Sequence, residues 1–343
     1  MEDELNYPLV SIIIINWNGH EDTIECLESI YQTNYPNYNV ILVDNGSNDI
    51  SLEIIKDYCR GKIKVNSKYF QYDSSNKPIR LKEFKKKELK TRKKEKLAKK
   101  NSLILIKNDE NYGFAKGNNI GIRYALNNFK SEYILLLNND TVVDKNFLSN
   151  LVNIDDKTQE IAAIQSTIYY YDNKDKIQSI GGKFNLFTGS GPSIINSEKD
   201  FIECDVLNGA AMLIKSSAFD KVGLIDDQYF LYMEETDWCF RARKNNFSLR
   251  GCKKSKVWHK IYSSSGGEIN PVLLYYWNRN ILLFYKKHNK KYLPTFFPFY
   301  IFRLIVQIGK FSFKSDFKCV KAIFYGFIDG IIGKQGKLKR SIY

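Results

Sequence analysis

Apolar positions along the first part of the chain alternate between strand-like and helix-like patterns. Short apolar runs without polar alternation are typical of strands buried on both faces, and segments with apolar residues at helical spacing follow them. The predicted strands are 9–15, 40–43, 103–106 and 133–137, and the predicted helices are 21–31, 51–58 and 117–127. Strands that alternate with helices predict an α/β domain built on a largely parallel sheet.

Small polar and acidic side chains follow three of the predicted strands. The three sets are Asn16-Trp17-Asn18-Gly19, Asp44-Asn45-Gly46-Ser47 and Asn138-Asn139-Asp140-Thr141. In open α/β sheets, ligands bind outside the carboxyl ends of the strands. We therefore expect these loops to form one ligand site. The sequence has neither a GxxxxGK[ST] phosphate loop nor a GxGxxG motif after the first strand.

Acidic residues provide the candidate chemistry. Asp140 follows a buried strand, where a carboxylate can hold Mg²⁺ or Mn²⁺ against a diphosphate. Glu234 and Glu235 are adjacent and lie among large apolar residues, which favours raised pKa values and suits a general base. Together with Asp237 they also fit the acidic first turn of an amphipathic helix. His259 is either a structural residue or a second metal ligand beside Asp140.

The net charge of +14 is concentrated in part of the chain. Residues 80–100 hold twelve basic and three acidic side chains, within a predicted insertion at about 61–102. This lysine-rich run fits either a solvated, partly frayed helix or a contact with an anionic membrane or another polyanion. It lacks the interleaved aromatic residues that stack on bases, which argues against nucleic acid. The six cysteines form no CxxC pair, which is typical of a reducing, cytoplasmic compartment.

The C-terminal part of the chain has a different pattern. Residues 271–287 predict an aromatic amphipathic helix that Asn278, Arg279 and Asn280 interrupt. The most apolar window, 292–309, contains Arg303 and is near the shortest length that can span a bilayer. Aromatic residues flanked by lysines predict a segment in the membrane interface. Packing on the preceding domain, a homodimer contact and a true span are the alternatives.

The order of seven segments resembles family 2 glycosyltransferases with the GT-A fold, particularly their rhamnosyltransferase-like branch. The segments are SIIIINWNG (11–19), VDNGSND (43–49), NYGFAKGNNIGI (111–122), YILLLNNDT (133–141), NGAAMLIKSSAFDKVGLID (208–226), YFLYMEETDWCFRAR (229–243) and KVWHK (256–260). The resemblance implies a Rossmann-like mixed sheet flanked by helices over residues 1–265. A C-terminal amphipathic helical region would follow at 266–343.

The resemblance also implies catalytic and metal-binding residues. Glu234 and Glu235 match the acidic pair of the family, whose second member is the expected base, although a Glu stands here where the family has Asp. Asp140 matches the last acid of the metal-binding DxD motif, and Asn138 stands at the first acid. His259 matches a histidine that completes the site for Mg²⁺ or Mn²⁺ in relatives.

The donor site implied by the resemblance includes the ends of the first two strands, where Asp44 would contact the nucleotide base. The further donor-binding residues are Asn16, Asn18, Asn45, Gly113, Lys116, Asn118, Asn138, Asn139 and Asp140. The donor would be a dTDP- or UDP-sugar, with rhamnose suggested by the branch.

The implied activity is transfer of that sugar, with inversion, to a hydroxyl of a glycan or lipid-linked acceptor. Such transfers build cell-surface polysaccharides or glycoprotein glycans. We expect an enzyme in the cytoplasm on the inner face of the cell membrane. Two alternatives are a nucleotidyltransferase, whose basic NTP-gripping motif is absent from the sequence, and a catalytically weak scaffold that docks on membranes or polyanions.

Overall fold

A mixed β-sheet forms the centre of the protein and confirms the predicted α/β class. The computed structural model describes residues 7–90, 101–153, 160–260 and 270–340. The strands are β1 (Val10–Asn16), β2 (Tyr38–Asp44), β3 (Arg80–Lys85), β4 (Ser102–Lys107), β5 (Tyr133–Asn138), β6 (Thr141–Val143), β7 (Ile161–Tyr170), β8 (Asn173–Ser179), β9 (Gly181–Gly182), β10 (Ser193–Ile194), β11 (Phe201–Glu203), β12 (Ala211–Lys215) and β13 (Ser248–His259).

The helices surround this sheet and continue beyond it at the C-terminal end. They are α1 (His20–Tyr31), α2 (Ser51–Cys59), α3 (Gly113–Phe129), α4 (Phe147–Val152), α5 (Ala218–Val222), α6 (Glu234–Lys244), α7 (Pro271–His288), α8 (Leu293–Phe313) and α9 (Phe317–Ile332). All six cysteines are buried and unbridged.

The strand order places the three polar loops at one edge of the sheet. The order is β11-β13-β7-β12-β5-β1-β2-β4-β3, and the strands from β5 to β3 run parallel. β12 runs antiparallel to β5 and β7. Asn16 and Asp44 are directly paired across β1 and β2, so the carboxyl ends of these strands are level.

Alternate side chains of the strands pack on opposite faces of the sheet. Ile13 of β1 lies in the core under α3, α5 and α6, whereas Ile12 and Ile14 lie in the core under α1, α2 and α4. This arrangement explains why the parallel strands are continuous apolar runs in the sequence.

Glycines bring α3 close to the sheet. A Cβ atom at Gly121 would lie 2.6 Å from Ile13 Cγ2, and one at Gly117 would lie 3.0 Å from Ile15 Cδ1. Because both glycines lack a side chain, the helix can approach β1 closely. Its N-terminus therefore lies beside the carboxyl ends of β1 and β2.

Part of the predicted insertion at 61–102 belongs to the central sheet. Residues 80–85 form β3, which extends the central sheet parallel to β4, and Lys86–Lys90 form a 3-10 turn. A helix at this place was therefore wrong for 80–85, and residues 91–100 lie outside the described residues. β3 was not predicted from the sequence because an edge strand tolerates many exposed lysines. These lysines also discourage pairing of the edge with other chains.

The C-terminal helices share a core with the preceding part of the chain. Tyr229, Met233 and Phe240 belong to the same buried cluster as residues of α7, α8 and α9. Among the described residues, the helical stretch Lys290–Phe313 is long and apolar enough to cross a membrane, with a mean hydropathy of 1.2 in its best window. The proposed division at residue 265 stays a prediction.

Candidate active site

Buried polar side chains connect the ends of β1 and β2. Asn16 Nδ2 donates to Asp44 Oδ1 (2.8 Å) and to Ser47 Oγ (3.0 Å). Asp44 also accepts from Ser47 Oγ (2.6 Å) and from the Ser47 backbone N–H (3.1 Å). Thr23 Oγ1 of α1 donates to Asn16 Oδ1 (2.9 Å). This network fixes the Asp44 carboxylate at the predicted donor site.

The loops after β1 and β2 form the exposed rim of this network. Asn18 adopts a left-handed conformation, with φ at 51°. Its Nδ2 atom donates to Asn48 Oδ1 (2.9 Å), and the Asn48 backbone N–H donates to Asn18 Oδ1 (3.0 Å). Trp17, between Asn16 and Asn18, exposes a large aromatic side chain at the same rim. A base or sugar entering here would meet an aromatic surface beside amide groups.

Asn45 connects the loop after β2 to the N-terminus of α3. Its Nδ2 atom donates to Asn111 Oδ1 and to the Gly113 carbonyl, both at 3.1 Å. Its Oδ1 atom accepts from Asn108 Nδ2 (3.1 Å) and from the Tyr112 backbone N–H (3.2 Å). Asn45 is thus occupied by contacts within the protein and positions the loops around the site.

The first turns of α3 carry the other predicted donor-binding residues. Gly113 has φ at +78°, and a Cβ atom there would lie 2.3 Å from the Phe230 carbonyl oxygen. Lys116 Nζ lies 4.2 Å from the centre of the Tyr112 ring and is partly exposed. Asn118 is buried, and its Nδ2 atom donates to the Phe114 carbonyl (3.1 Å). Of these three residues, Lys116 presents a cation at the surface.

Asp140 and His259 meet where β5 ends and β13 ends. Asp140 Oδ1 lies 3.2 Å from His259 Nε2, and both side chains are largely buried. The β13 register brings His259 opposite Thr141, which explains how residues 119 positions apart come together. His259 Nδ1 lies 3.4 Å from Gln178 Oε1. With its proton on Nδ1 facing this acceptor, His259 would offer the Nε2 lone pair to an ion held together with Asp140.

The two asparagines before Asp140 have different surroundings. Asn138 Nδ2 lies 3.5 Å from His259 Nε2, so its amide is part of the same cluster. Asn139 Nδ2 donates to Thr23 Oγ1 (3.0 Å) and to the Gly19 carbonyl (3.3 Å), which anchors the loop to α1. Within the described residues, no group of three or more His, Cys, Asp and Glu side chains is arranged around a metal position.

Two carboxyl groups at the start of α6 have raised pKa values. Burial raises the pKa of Glu234 well above its usual range, and the neighbouring charge of Glu235 adds to the effect. Burial also raises the pKa of Glu235, which is more exposed than Glu234. Glu234 Oε2 has no hydrogen-bond partner among the described residues. A proton shared by this pair would reside mainly on Glu234, which leaves Glu235 as the more readily ionised of the two.

Asp237, the third acid of this turn, is a structural residue. Its buried carboxylate contacts His288 Nε2 (2.5 Å), Lys287 Nζ (2.6 Å) and Arg241 Nε (2.7 Å). Burial opposes ionisation of Asp237, but hydrogen bonds from His288 and Lys287 and the charges of Arg241 and Lys287 outweigh it and hold its pKa far below the usual range. Asp237 therefore joins α6 to the end of α7.

The segment Tyr229–Met233, before Glu234, has an unusual backbone. Phe230, Tyr232 and Met233 have φ values of 68°, 67° and 77°, although none is glycine. Such left-handed conformations cost free energy in residues with a Cβ atom and persist where surrounding contacts enforce them. They turn the chain sharply before α6 and set the position of the two carboxyl groups.

Two buried side chains of α7 hold this strained segment. Asn280 Nδ2 lies within hydrogen-bond distance of the carbonyls of Tyr229 (3.0 Å), Leu231 (2.7 Å) and Tyr232 (2.9 Å). Arg279 Nη2 donates to the Tyr229 carbonyl (2.7 Å). Sequence patterns assigned no role to Arg279 and Asn280, although polar residues inside an aromatic helix were a visible signal.

The guanidinium of Arg279 is fully buried without a carboxylate at ion-pair distance in the described parts of the chain. Its Nε atom donates to Asn280 Oδ1 (2.8 Å), and its Nη1 atom donates to the Gly336 carbonyl (2.6 Å). Its charge lies 4.9 Å from the centre of the Tyr276 ring. A buried cation whose partners are mainly backbone carbonyls is suited to fixing a loop.

The acidic pair lies at the same edge of the sheet as the end of β5. The Asn138 backbone N–H donates to the Ala210 carbonyl (3.0 Å) at the start of β12. At the preceding residue, Gly209, a Cβ atom would lie 3.1 Å from Phe114 Cζ and 3.8 Å from Glu235 Cβ. The segment before β12 thus connects the end of β5, the start of α3 and Glu235.

This fold and these segments define the class of protein. The sequence model described as "Glycosyl transferase family 2" matches residues 11–74 and 87–223. The chain therefore belongs to glycosyl transferase family 2, which confirms the resemblance seen in the sequence.

Two curated relatives share parts of the chain. It is 30% identical over 145 residues to the "Low-salt glycan biosynthesis hexosyltransferase Agl10" of Haloferax volcanii, covering 42% of this chain and 47% of the relative. It is 25% identical over 256 residues to the "dTDP-rhamnosyl transferase RfbF" of Shigella flexneri, covering 71% of this chain and 83% of the relative. The match thus spans about half of the Haloferax protein.

Solved structures share the fold at low sequence identity. GalNAc-T7 with UDP, GalNAc and Mn²⁺ has a TM-score of 0.58 and 14% identity, covering 84% of this chain and 50% of that one. The mannosyltransferase PcManGT from Pyrobaculum calidifontis, with GDP-Man and Mn²⁺, has a TM-score of 0.54 and 11% identity, covering 95% and 88%. These similarities confirm the GT-A architecture.

Proposed function

We propose that this protein is an inverting glycosyltransferase that moves a sugar from a nucleoside-diphosphate sugar to a hydroxyl group. The observation that carries the proposal is the pair of raised-pKa carboxyl groups, Glu234 and Glu235, at the sheet edge that also holds Asp44 and Asp140. A base, a nucleotide pocket and an acid for the diphosphate are the parts that such a transfer needs. The family membership supports the same reaction.

The nucleotide would bind at the ends of β1 and β2. Asp44 is fixed by Asn16 and Ser47, so its carboxylate can accept a hydrogen bond from a base without reorganising. The Shigella relative is named a dTDP-rhamnosyl transferase, which makes dTDP-rhamnose our first donor candidate. UDP-sugars are the second candidate because structural neighbours were solved with UDP or UDP-GlcNAc.

Asp140 and His259 would hold Mg²⁺ or Mn²⁺ together with the donor phosphates. Carboxylate oxygen and imidazole nitrogen are suitable ligands for Mn²⁺, and their 3.2 Å separation resembles that of adjacent ligands with bonds of about 2.1 Å. The residues present therefore fit the ion, with phosphates and water completing the shell. A bound ion would neutralise negative charge on the leaving diphosphate.

Glu235 would act on the acceptor. Its carboxylate takes the proton of the acceptor hydroxyl, whose oxygen attacks the anomeric carbon from the face opposite the diphosphate. The bond between that carbon and the diphosphate oxygen breaks, and the configuration inverts. Burial raises the pKa of Glu234 beside it, which favours the neutral form and disfavours a second charge at the same place.

The acceptor we propose is a glycan or a lipid-linked sugar at the inner face of a cell membrane. The apolar helices α8 and α9 support this placement because they adjoin α7, which holds the segment before Glu235. An acceptor carried by lipid would then reach the site from the bilayer. Two pathways use such acceptors: the synthesis of surface polysaccharides and the synthesis of protein-linked glycans.

An assay of donor turnover tests the proposed activity. The protein is incubated with dTDP-rhamnose or a UDP-sugar, Mn²⁺ and membrane extract, and the release of dTDP or UDP is measured. We expect release with one donor class, and a decrease of about 10²–10⁴-fold in Glu235→Gln. Turnover that is unaffected by Glu235→Gln would exclude the assigned base. No turnover and no binding of any nucleotide sugar would favour the inactive-scaffold alternative.

A further inference from the structure

One face of α8 packs against the rest of the protein, and the opposite face is exposed to solvent. Phe296, Tyr300, Leu304 and Phe311 are buried against α7 and neighbouring residues. The outward side exposes five large apolar side chains at helical spacing: Phe299, Phe302, Ile305, Val306 and Phe313. A helix on the surface of a globular protein normally has polar residues on this side. The apolar outer face therefore requires another explanation.

The following helix, α9, has the same property. Its inner side packs on α7 and α8, with Phe327 against Phe297 and Tyr300. Its outward positions include Phe317, Phe324, Ile328, Ile331 and Ile332. We call these five side chains and the five outward ones of α8 the C-terminal apolar surface. Exposed apolar areas of this kind mark interaction sites.

The charge around the C-terminal apolar surface has one dominant sign. Residues 290–340 contain eleven basic and two acidic side chains, a net charge of +9. Asp329, one of the two acids, is buried and contacts Tyr275 and Arg340. Exposed lysines lie near the connection of the two helices, at positions 310, 314, 318 and 321. Apart from this region and residues 80–100, the chain has twenty-nine basic and thirty-three acidic residues.

We propose that the C-terminal apolar surface docks on a lipid bilayer that contains anionic headgroups. The apolar side chains would enter the boundary between headgroups and acyl chains, and the lysines would contact lipid phosphates. Charge complementarity favours this occupant over a second copy of the chain, because two surfaces with the same positive charge repel each other. The proposal does not depend on the transferase activity.

The helix α8 would lie in the membrane plane rather than cross it. Spanning would remove Phe296, Tyr300 and Leu304 from the protein core and expose them to lipid. It would also place Arg303, at the middle of α8, in the bilayer centre, which is costly. Lying in the plane keeps the inner face packed and buries only the outer face.

Vesicle sedimentation tests the proposal directly. The full chain is mixed with vesicles of phosphatidylcholine alone or of phosphatidylcholine with phosphatidylglycerol, and the bound fraction is measured. We expect binding to the anionic vesicles, weakened by salt. The double variant Phe302→Glu/Ile305→Glu should lower the partition coefficient at least about tenfold. The variants Lys314→Gln and Lys321→Gln should each lower it about fivefold on anionic vesicles.

A matched control uses another exposed isoleucine. Ile195 is 58% exposed and Ile305 is 63% exposed, and Ile195 lies outside the C-terminal helices. Ile195→Glu should bind vesicles as the unaltered protein does, and circular dichroism should show that all variants fold. The proposal is wrong if anionic vesicles do not bind the protein, or if Phe302→Glu/Ile305→Glu binds them equally well. A dimer by light scattering that these substitutions dissociate, without vesicle binding, would assign the surface to a second copy.

Discussion

At the scale of single residues, three carboxyl groups in the first turn of α6 differ in their tendency to ionise because their neighbours differ. Asp237 is surrounded by Arg241, Lys287 and His288, which keep it ionised. Glu234 is buried with an unpartnered oxygen in the described structure, and Glu235 is more open. The sequence indicated that this cluster contained both helix-stabilising and chemical acids. It could not separate them, since Lys287 and His288, which contact Asp237, lie about fifty positions away along the chain.

The pH dependence of activity follows from the raised pKa of the acidic pair. The proposed base must be ionised, and burial raises the pKa of Glu235 above that of an ordinary glutamate. We expect kcat/KM to rise with pH through this raised value, so that the acid limb lies above about pH 4.3. Initial rates over a pH series measure the limb. The variant Glu235→Asp should keep an acid limb in its pH profile at a shifted pH. The variant Glu235→Gln should lose both the acid limb and most of the activity.

The stability of the protein should also depend on Glu234. Burial raises its pKa in the folded state, so the native protein holds this proton more tightly than the unfolded chain does. The resulting stabilisation is present below the unfolded pKa and is lost as pH rises through the folded value. Glu234→Gln, which stays neutral, should therefore raise Tm relative to the unaltered protein more at pH 8 than at pH 5. An equal Tm difference at both pH values would contradict a raised pKa for Glu234.

At the scale of elements, the position of α6 depends on α7. Arg279 and Asn280 bind the carbonyls of the strained segment Tyr229–Met233, which precedes Glu234. The sequence predicted α7, although Asn278, Arg279 and Asn280 do not interrupt it, and allowed a helix at α6 as one of two interpretations. Local sequence patterns could not predict this contact, because Arg279 and Tyr229 are fifty positions apart and meet only through tertiary packing.

Removing this contact should impair catalysis more than donor binding. Asn280→Ala leaves three carbonyls without their amide donor and releases a strained backbone, so Glu235 is displaced. We expect kcat to fall at least about tenfold, because misplacement of a reacting group by about 1 Å is costly, while donor affinity changes little. Steady-state kinetics and donor titration measure the two effects.

Asn278→Ala provides the matched control for that variant. Asn278 is equally buried in α7, but its side chain donates to the Leu274 carbonyl (2.9 Å) and to Gln307 Oε1 (3.2 Å). It should lose comparable stability and retain kcat. If both variants lost kcat to the same extent, the effect would come from general destabilisation of α7 rather than from the position of the loop.

At the scale of the whole molecule, the sequence predicted the central strands of the sheet better than its edge strand. The buried strands β1, β2, β4 and β5 were found because strands covered on both faces are apolar throughout. The edge strand β3 was missed because its lysines resemble those of a solvated helix. The three polar loops were expected to meet, since the carboxyl ends of parallel strands lie at one edge, and the structure brings them together.

The roles of the predicted site residues remain predictions. The structure divides these residues into two groups according to what their side chains contact. Asn45, Asn118 and Asn139 have side chains engaged in contacts within the protein. Asp140 and His259 form a pair at the end of the sheet. Periodicity along the chain cannot distinguish these two groups, because amide side chains that position loops and those that bind ligands occur at the same strand ends.

Donor binding at the Asp140–His259 pair provides the most direct test of the proposed active site. The melting temperature is recorded with dTDP-rhamnose and with UDP-sugars, each with and without Mn²⁺, for the unaltered chain and Asp140→Asn. Asp220→Asn, an exposed aspartate of α5, is the control. We predict an increase with one nucleotide class that Mn²⁺ enhances, that Asp220→Asn retains and that Asp140→Asn loses. An increase that is identical in Asp140→Asn, or no increase with any nucleotide sugar, would contradict the assigned site.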